Sequence, residues 1–131
     1  MRGRLYTACI NRLRDVPPCD IQWFAVRVSE STPRGWAHNV HLCPSEELLH
    51  WAKRLERQGQ WNPTTFQEYT TRFWKEIEAS SEAKSDLTTI LNALSAGQDV
   101  AVSCYCANPH MCHRGLIAQF VEEHGFAIVH K

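Results

Sequence analysis

The stretch Val100 to Ile117, VAVSCYCANPHMCHRGLI, decides how the rest of the chain is read. It opens on an apolar, β-branched run, Val100-Ala101-Val102, which reads as a strand extending over Asp99 to Cys106. Three cysteines, two histidines and an arginine follow in eleven positions: Cys104, Cys106, His110, Cys112, His113 and Arg114. Then an amphipathic pattern, Leu116, Ile117, Phe120 and Val121, predicts a helix over Cys112 to His124. Gly125 can stop that helix, and Phe126 to His130 reads as a further strand. Strand, helix and strand in about 30 residues make a βαβ unit, which requires parallel strands and a right-handed crossover.

Working outward, Leu5 to Ile10 reads as a first strand and Ile21 to Val28 as a second. The near-continuous apolar character of the second predicts a central position, covered on both faces. Asn11 to Asp20, with Pro17-Pro18, is a connection. Ser29 to Cys43 reads as a long loop, a candidate lid with Pro33-Arg34-Gly35 able to close over a site. Three helices are predicted next. The first spans Ser45 to Gln58, with Ser45 after Pro44 as its candidate cap and an apolar stripe at Leu48, Leu49, Ala52 and Leu55. The second starts near Pro63, where Thr64-Thr65-Phe66-Gln67 fits a capping box. Its stripe of Phe66, Tyr69, Phe73, Trp74 and Ile77 reads as core. The third spans Ser85 to Ala96. The expected fold is one α/β domain over residues 1–131: three layers, a small, mostly parallel sheet of about four strands, and helices on both faces.

Composition narrows the function classes. The chain has 131 residues, 44% hydrophobic and 21% charged, so a packed core is expected. Lys+Arg and Asp+Glu are equal at 14 each, so there is no global electrostatic footprint for nucleic acid or an acidic membrane. Arg2, Arg4, Arg12 and Arg14 still cluster locally and keep a nucleic-acid- or protein-binding role open. Neither a signal-peptide core nor a membrane span is visible, so the expected location is cytoplasmic. There the six cysteines stay reduced. Cys9, Cys19 and Cys43 stand apart and read as small buried hydrophobes.

The turn after the Val100 strand is the expected site, because ligands of open α/β sheets bind beyond the carboxyl ends of strands. A helix start offers unpaired N–H groups and the positive end of a dipole, and Arg114 can grip a carboxylate or phosphate at two points. An anionic small molecule or nucleotide is the expected ligand. Tyr6, Thr7, Asn11, Arg27 and Arg34 are expected to reach it from neighbouring strands and the lid. In a catalytic version Cys112 or Cys104 is the nucleophile, with His113 or His110 as base. The cysteine-to-arginine spacings do not match a tyrosine-phosphatase loop, Cys106 to Arg114 being too long and Cys112 to Arg114 too short. Alternatively Cys104, Cys106 and Cys112 hold zinc or iron, with His110 or His113 as fourth ligand.

These residues also resemble a known family. The run from Val100 through Cys104, Cys106 and Pro109 to Cys112-His113-Arg114 and its apolar helix is similar to the signature of domain-of-unknown-function family 488. Leu5-Tyr6-Thr7 resembles that family's opening strand and Phe126 to His130 its closing strand. Leu42-Cys43-Pro44-Ser45 with the following helix to Trp51, and the Tyr69 helix, resemble its middle segments. The resemblance implies an α/β domain with its site at the turn, and no assigned activity. Where many members carry an acidic residue, this chain has Cys106. A thiol can replace an acid as metal ligand but not as a carboxylate base.

Overall fold

A computed structural model describes residues 1–131. In chain order it contains β1 (Arg4–Cys9), β2 (Ile21–Phe24), β3 (Ala37–His38), α1 (Glu46–Arg57), α2 (Pro63–Glu78), α3 (Ser81–Ser95), β4 (Val100–Cys104), α4 (His113–Glu123) and β5 (Ala127–His130). Short 3-10 turns occupy Ile10–Asp15 and Pro109–Met111. The five strands form one sheet in the order β3-β2-β4-β1-β5, and every pairing is parallel.

The apolar run Val100-Ala101-Val102 lies at the centre of that sheet, between β1 and β2, with all five residues of β4 buried. Val100 sits opposite Leu5 on one side and Ile21 on the other. Leu5, Val100 and Val102 join the apolar faces of all four helices in one cluster of 20 buried residues. The alternate positions Ala8, Ala101, Ser103 and Phe24 are fully buried as well. Burial on both faces is what a parallel sheet requires, and it explains why β4 reads as a continuous apolar run. α4 carries the chain from β4 to β5, and β5 pairs with β1, so the crossover passes over β1.

α2 holds the helical layer together. Tyr69, Phe73 and Ile77 are buried one turn apart, and the rings of Phe66, Tyr69 and Phe73 stack in sequence along the helix. Phe73 has no exposed surface, so its truncation to alanine would cost about 3–5 kcal/mol. The Ser45 hydroxyl caps α1 by accepting from the Leu48 N–H at 3.2 Å, as expected. The α2 capping box is shifted from the expected one. Asn62 is the cap, accepting from the Thr65 N–H at 3.0 Å, while the Thr65 hydroxyl accepts from the Asn62 N–H at 2.9 Å.

Three boundaries differ from the sequence reading. α3 begins at Ser81 because the Ser80 hydroxyl caps it through the Ala83 N–H. β2 ends at Phe24, although Ala25 and Val26 remain buried. The Ser29–Cys43 segment contains a fifth strand, β3, whose two residues pair with Trp23 and Phe24 at the sheet edge. A two-residue strand has no periodicity to detect, so only the tertiary pairing reveals it. No helix is long and apolar enough to cross a membrane.

Candidate functional site

The cysteine-rich turn begins where β4 runs out. Cys104 is the last strand residue and is fully buried. Tyr105 emerges at the surface, its ring edge-on to Phe24 at 5.1 Å. Asn108 accepts from the His110 N–H at 3.0 Å and starts the 3-10 turn at Pro109. Cys112 then takes extended dihedrals as the N-cap of α4, and its carbonyl receives the Gly115 and Leu116 N–H groups. Gly115 lets this turn lie flat on the helix. A Cβ there would stand 1.7 Å from the Pro109 carbonyl oxygen. The helix start is thereby folded back over the strand end, and Cys112 meets Cys104.

The Sγ atoms of Cys104 and Cys112 are 3.3 Å apart, and those of Cys104, Cys106 and Cys112 all lie within 4.8 Å of one another. Behind them Arg114 is 2% exposed. Its guanidinium donates to the carbonyls of Cys106 at 3.2 Å and Ala107 at 3.3 Å and stands 4.0 Å from Cys104 Sγ. Its Nε has no partner, and no carboxylate pairs with it. A buried cation without a carboxylate is costly unless another group supplies negative charge.

Cys112 is placed to supply it. Hydrogen bonds from the Cys104 and Cys106 thiols hold the Cys112 thiol well below its ordinary range. Burial opposes the shift, while the Arg114 N–H and charge reinforce it. The same hydrogen bonds, to Cys106 and Cys112, push Cys104 far upward, and burial adds to them. The two shifts are opposite, Cys112 toward the thiolate and Cys104 toward the thiol. Cys106 is pulled down by Cys104, but Cys112 and burial outweigh this and leave it raised. Burial lowers His113, so its imidazole is neutral near pH 7. Its Nε2–H donates to the Ala25 carbonyl at 2.7 Å, which leaves an unprotonated Nδ1 facing Cys112 Sγ at 3.9 Å.

The single pocket expected from the sequence is two cavities, with Cys112 lining one and Arg114 the other. One, of 110 Å³, is lined by Arg27, Tyr69, Tyr105, Cys106, Met111, Cys112 and His113. It meets a 530 Å³ surface cleft that shares Lys53, Glu56, Trp61, Tyr105, Cys106 and Met111. The other, of 420 Å³, lies at the carboxyl ends of β1 and β5 and is lined by Asn11, Arg12, Arg114 and His130 together with Cys9, Ala107, Pro109 and Lys131. The largest cavity, 580 Å³, is a groove between α2, α3 and α4, remote from the sulfurs.

The expected residues are therefore sorted by the fold. Arg27 reaches the thiol cavity, but its guanidinium is engaged by the Pro44 and Val40 carbonyls. Asn11 and Arg114 line the second cavity. Thr7 is fully buried, and its hydroxyl is hydrogen-bonded to His130 Nδ1. Tyr6 and Arg34 line neither cavity. His110 packs its ring edge-on to His130 at 5.6 Å and does not join the sulfurs. Sequence reading missed Lys53, Trp61, Tyr69 and Met111 beside the thiols, and His130 and Lys131 beside Arg114. Only Arg12 carried a signal, as one of the clustered N-terminal arginines. Of the isolated cysteines, Cys9 and Cys43 are buried as expected. Cys19 is half-buried, and burial followed by Asp99 and Asp20 raises its thiol to about 11.

The three thiols could also hold a metal ion. The group offers three sulfur donors, and neither His110 nor His113 is among them.

Residues 19–125 match the family DUF488-N3a, described as the active DUF488-N3 subclade. No curated protein and no solved structure gives a significant match. The matched segment runs from just before β2 to the glycine after α4 and includes all three clustered cysteines together with His113 and Arg114. The chain belongs to the DUF488 family, within its DUF488-N3a subclade.

Proposed function

We propose that this protein is a thiol-dependent enzyme in which Cys112 attacks an electrophilic centre of an anionic small molecule, with a nucleotide as the fitting class. The observation that carries this reading is the buried Arg114 guanidinium, which has no carboxylate partner and stands 4.0 Å from Cys104 Sγ, one of three clustered thiols. Its charge is balanced most simply by a Cys112 thiolate at the start of α4. The cleft beside Cys112 offers Trp61 and Tyr105 as flat surfaces for a planar group, with Lys53 able to meet a negative one. In the step itself the Cys112 lone pair forms the new bond to the electrophile. The leaving group departs with its bonding pair and takes a proton from solvent; water then attacks the covalent product, Cys112 leaves as the thiolate, and the proton of that water returns to solvent. The description of the subclade as active agrees with a catalytic role.

The test is a pH titration of thiolate ultraviolet absorbance in the native protein and in Cys112→Ser. One thiol should ionise well below the ordinary value of 9.0, and that step should vanish in the variant. A wild-type titration with no such early step sinks the reading. Covalent trapping with electrophilic nucleotide analogues, read by mass spectrometry at Cys112, then defines the substrate class.

A second reading is a zinc or iron site on Cys104, Cys106 and Cys112, favoured by the convergence of their Sγ atoms within 4.8 Å. Elemental analysis of protein purified without chelator tests it. About one metal per chain, with the three thiols protected from alkylation, is its expected outcome.

A further inference from the structure

We infer that the cavity at the carboxyl ends of β1 and β5 is a phosphate-binding site separate from the thiol cavity. Arg12, Arg114 and Lys131 bring three cationic side chains to it, Asn11 adds an amide, and no aspartate or glutamate side chain lines it. Such a one-signed lining is unfavourable when empty and is relieved by an anion. Arg114 forms the buried floor, with its Nε still unpartnered.

The surrounding contacts hold this arrangement in place. The Lys131 N–H donates to the Thr7 carbonyl at 2.7 Å, prolonging the β1–β5 ladder so that Lys131 follows the strand. The buried Thr7 hydroxyl fixes the His130 ring through Nδ1. The Cys9 thiol at the cavity wall is turned toward the Tyr105 carbonyl at 3.8 Å. Arg12 pairs with Asp15 at 3.5 Å on the surface, an interaction weak enough for an incoming phosphate to displace. The location obeys the strand-end rule for α/β sheets. At 420 Å³ the cavity is in the size range of small-molecule sites, so it has room for a phosphomonoester as well as for the bare ion.

Calorimetric titration of the full chain with inorganic phosphate and with pyrophosphate at low ionic strength tests the assignment. One saturable site is expected. The double substitution Arg12→Gln with Lys131→Gln should weaken it by roughly tenfold or more. Both side chains are exposed, so folding is preserved, and Arg14→Gln, outside the cavity, should bind as the native protein does. The thiolate titration of Cys112 should be the same in the double variant, which keeps this site's failure distinguishable from failure of the thiol chemistry. Absence of saturable binding in the native protein, or equal affinity in the double variant, overturns the inference.

Discussion

The Cys104 and Cys112 sulfurs stand 3.3 Å apart although eight positions separate them in sequence, one at the end of a central strand and the other at the start of a helix. Cys104 is the leading cause of the lowered Cys112 titration, and Cys104 itself is pushed upward by its hydrogen bonds to Cys106 and then Cys112. Replacing Cys104 with alanine should therefore raise the Cys112 titration midpoint and slow its alkylation by iodoacetamide at pH 7. Cys104→Ser, which keeps a donor, should fall between the two. A pH–rate profile for each protein, with peptide mapping, checks the order.

The same separation makes the pair an oxidisable dithiol. Peroxide attacked by the Cys112 thiolate gives a sulfenic acid and hydroxide. The Cys104 sulfur then displaces the sulfenic oxygen, which leaves as water, and a disulfide forms. The sulfurs must close to about 2.05 Å, a small movement from their present distance. Mild peroxide should lower the count of six free thiols by two, reversibly with dithiothreitol. With both neighbouring thiols removed, in Cys104→Ser with Cys106→Ser, the reaction should stop at a sulfenic acid that dimedone labels.

Acidification should destabilise the fold through His113. Burial sets its folded-state affinity for protons below that of the unfolded chain, whose ordinary value is 6.5. The unfolded state therefore binds more protons as pH falls, and stability is present above about 6.5 and lost below it. His130 shifts the same way, first by burial and then by His110 and Arg114. Melting temperature should fall between pH 7.5 and pH 5.5. The fall should be smaller in His113→Gln, whose amide can still donate to the Ala25 carbonyl.

Gly115 is the position where one methyl group would reshape the site. Its added Cβ would overlap the Pro109 carbonyl oxygen, which is backbone and cannot swing aside. Gly115→Ala should cost about 1–3 kcal/mol of stability. Because it lifts the 3-10 turn from the helix, it should also separate Cys112 from Cys104 and erase the low thiol titration. Denaturant unfolding and the thiolate titration, made on the same variant, read the two effects.

Much of this protein is legible without coordinates. The apolar run of β4, the stripe of α2 and the cap at Ser45 all follow from local pattern, because burial on two faces, helical period and hydroxyl capping each leave a mark in adjacent residues. So does the location of the candidate site, since Cys104, Cys106, Cys112, His113 and Arg114 are neighbours in sequence. Tertiary structure decided what no local pattern encodes. It inserted β1 between β4 and β5, and it added the two-residue strand β3 at the sheet edge. It brought Trp61 and Lys53 beside Cys106, and it placed His130 and Lys131 with Arg12 and Arg114 around a second cavity. The physical reason is that residue type and period record how each element meets the core, whereas a cavity wall is made wherever separate elements end together. Parallel β1 and β5 finish side by side, and that adjacency splits one expected pocket into two.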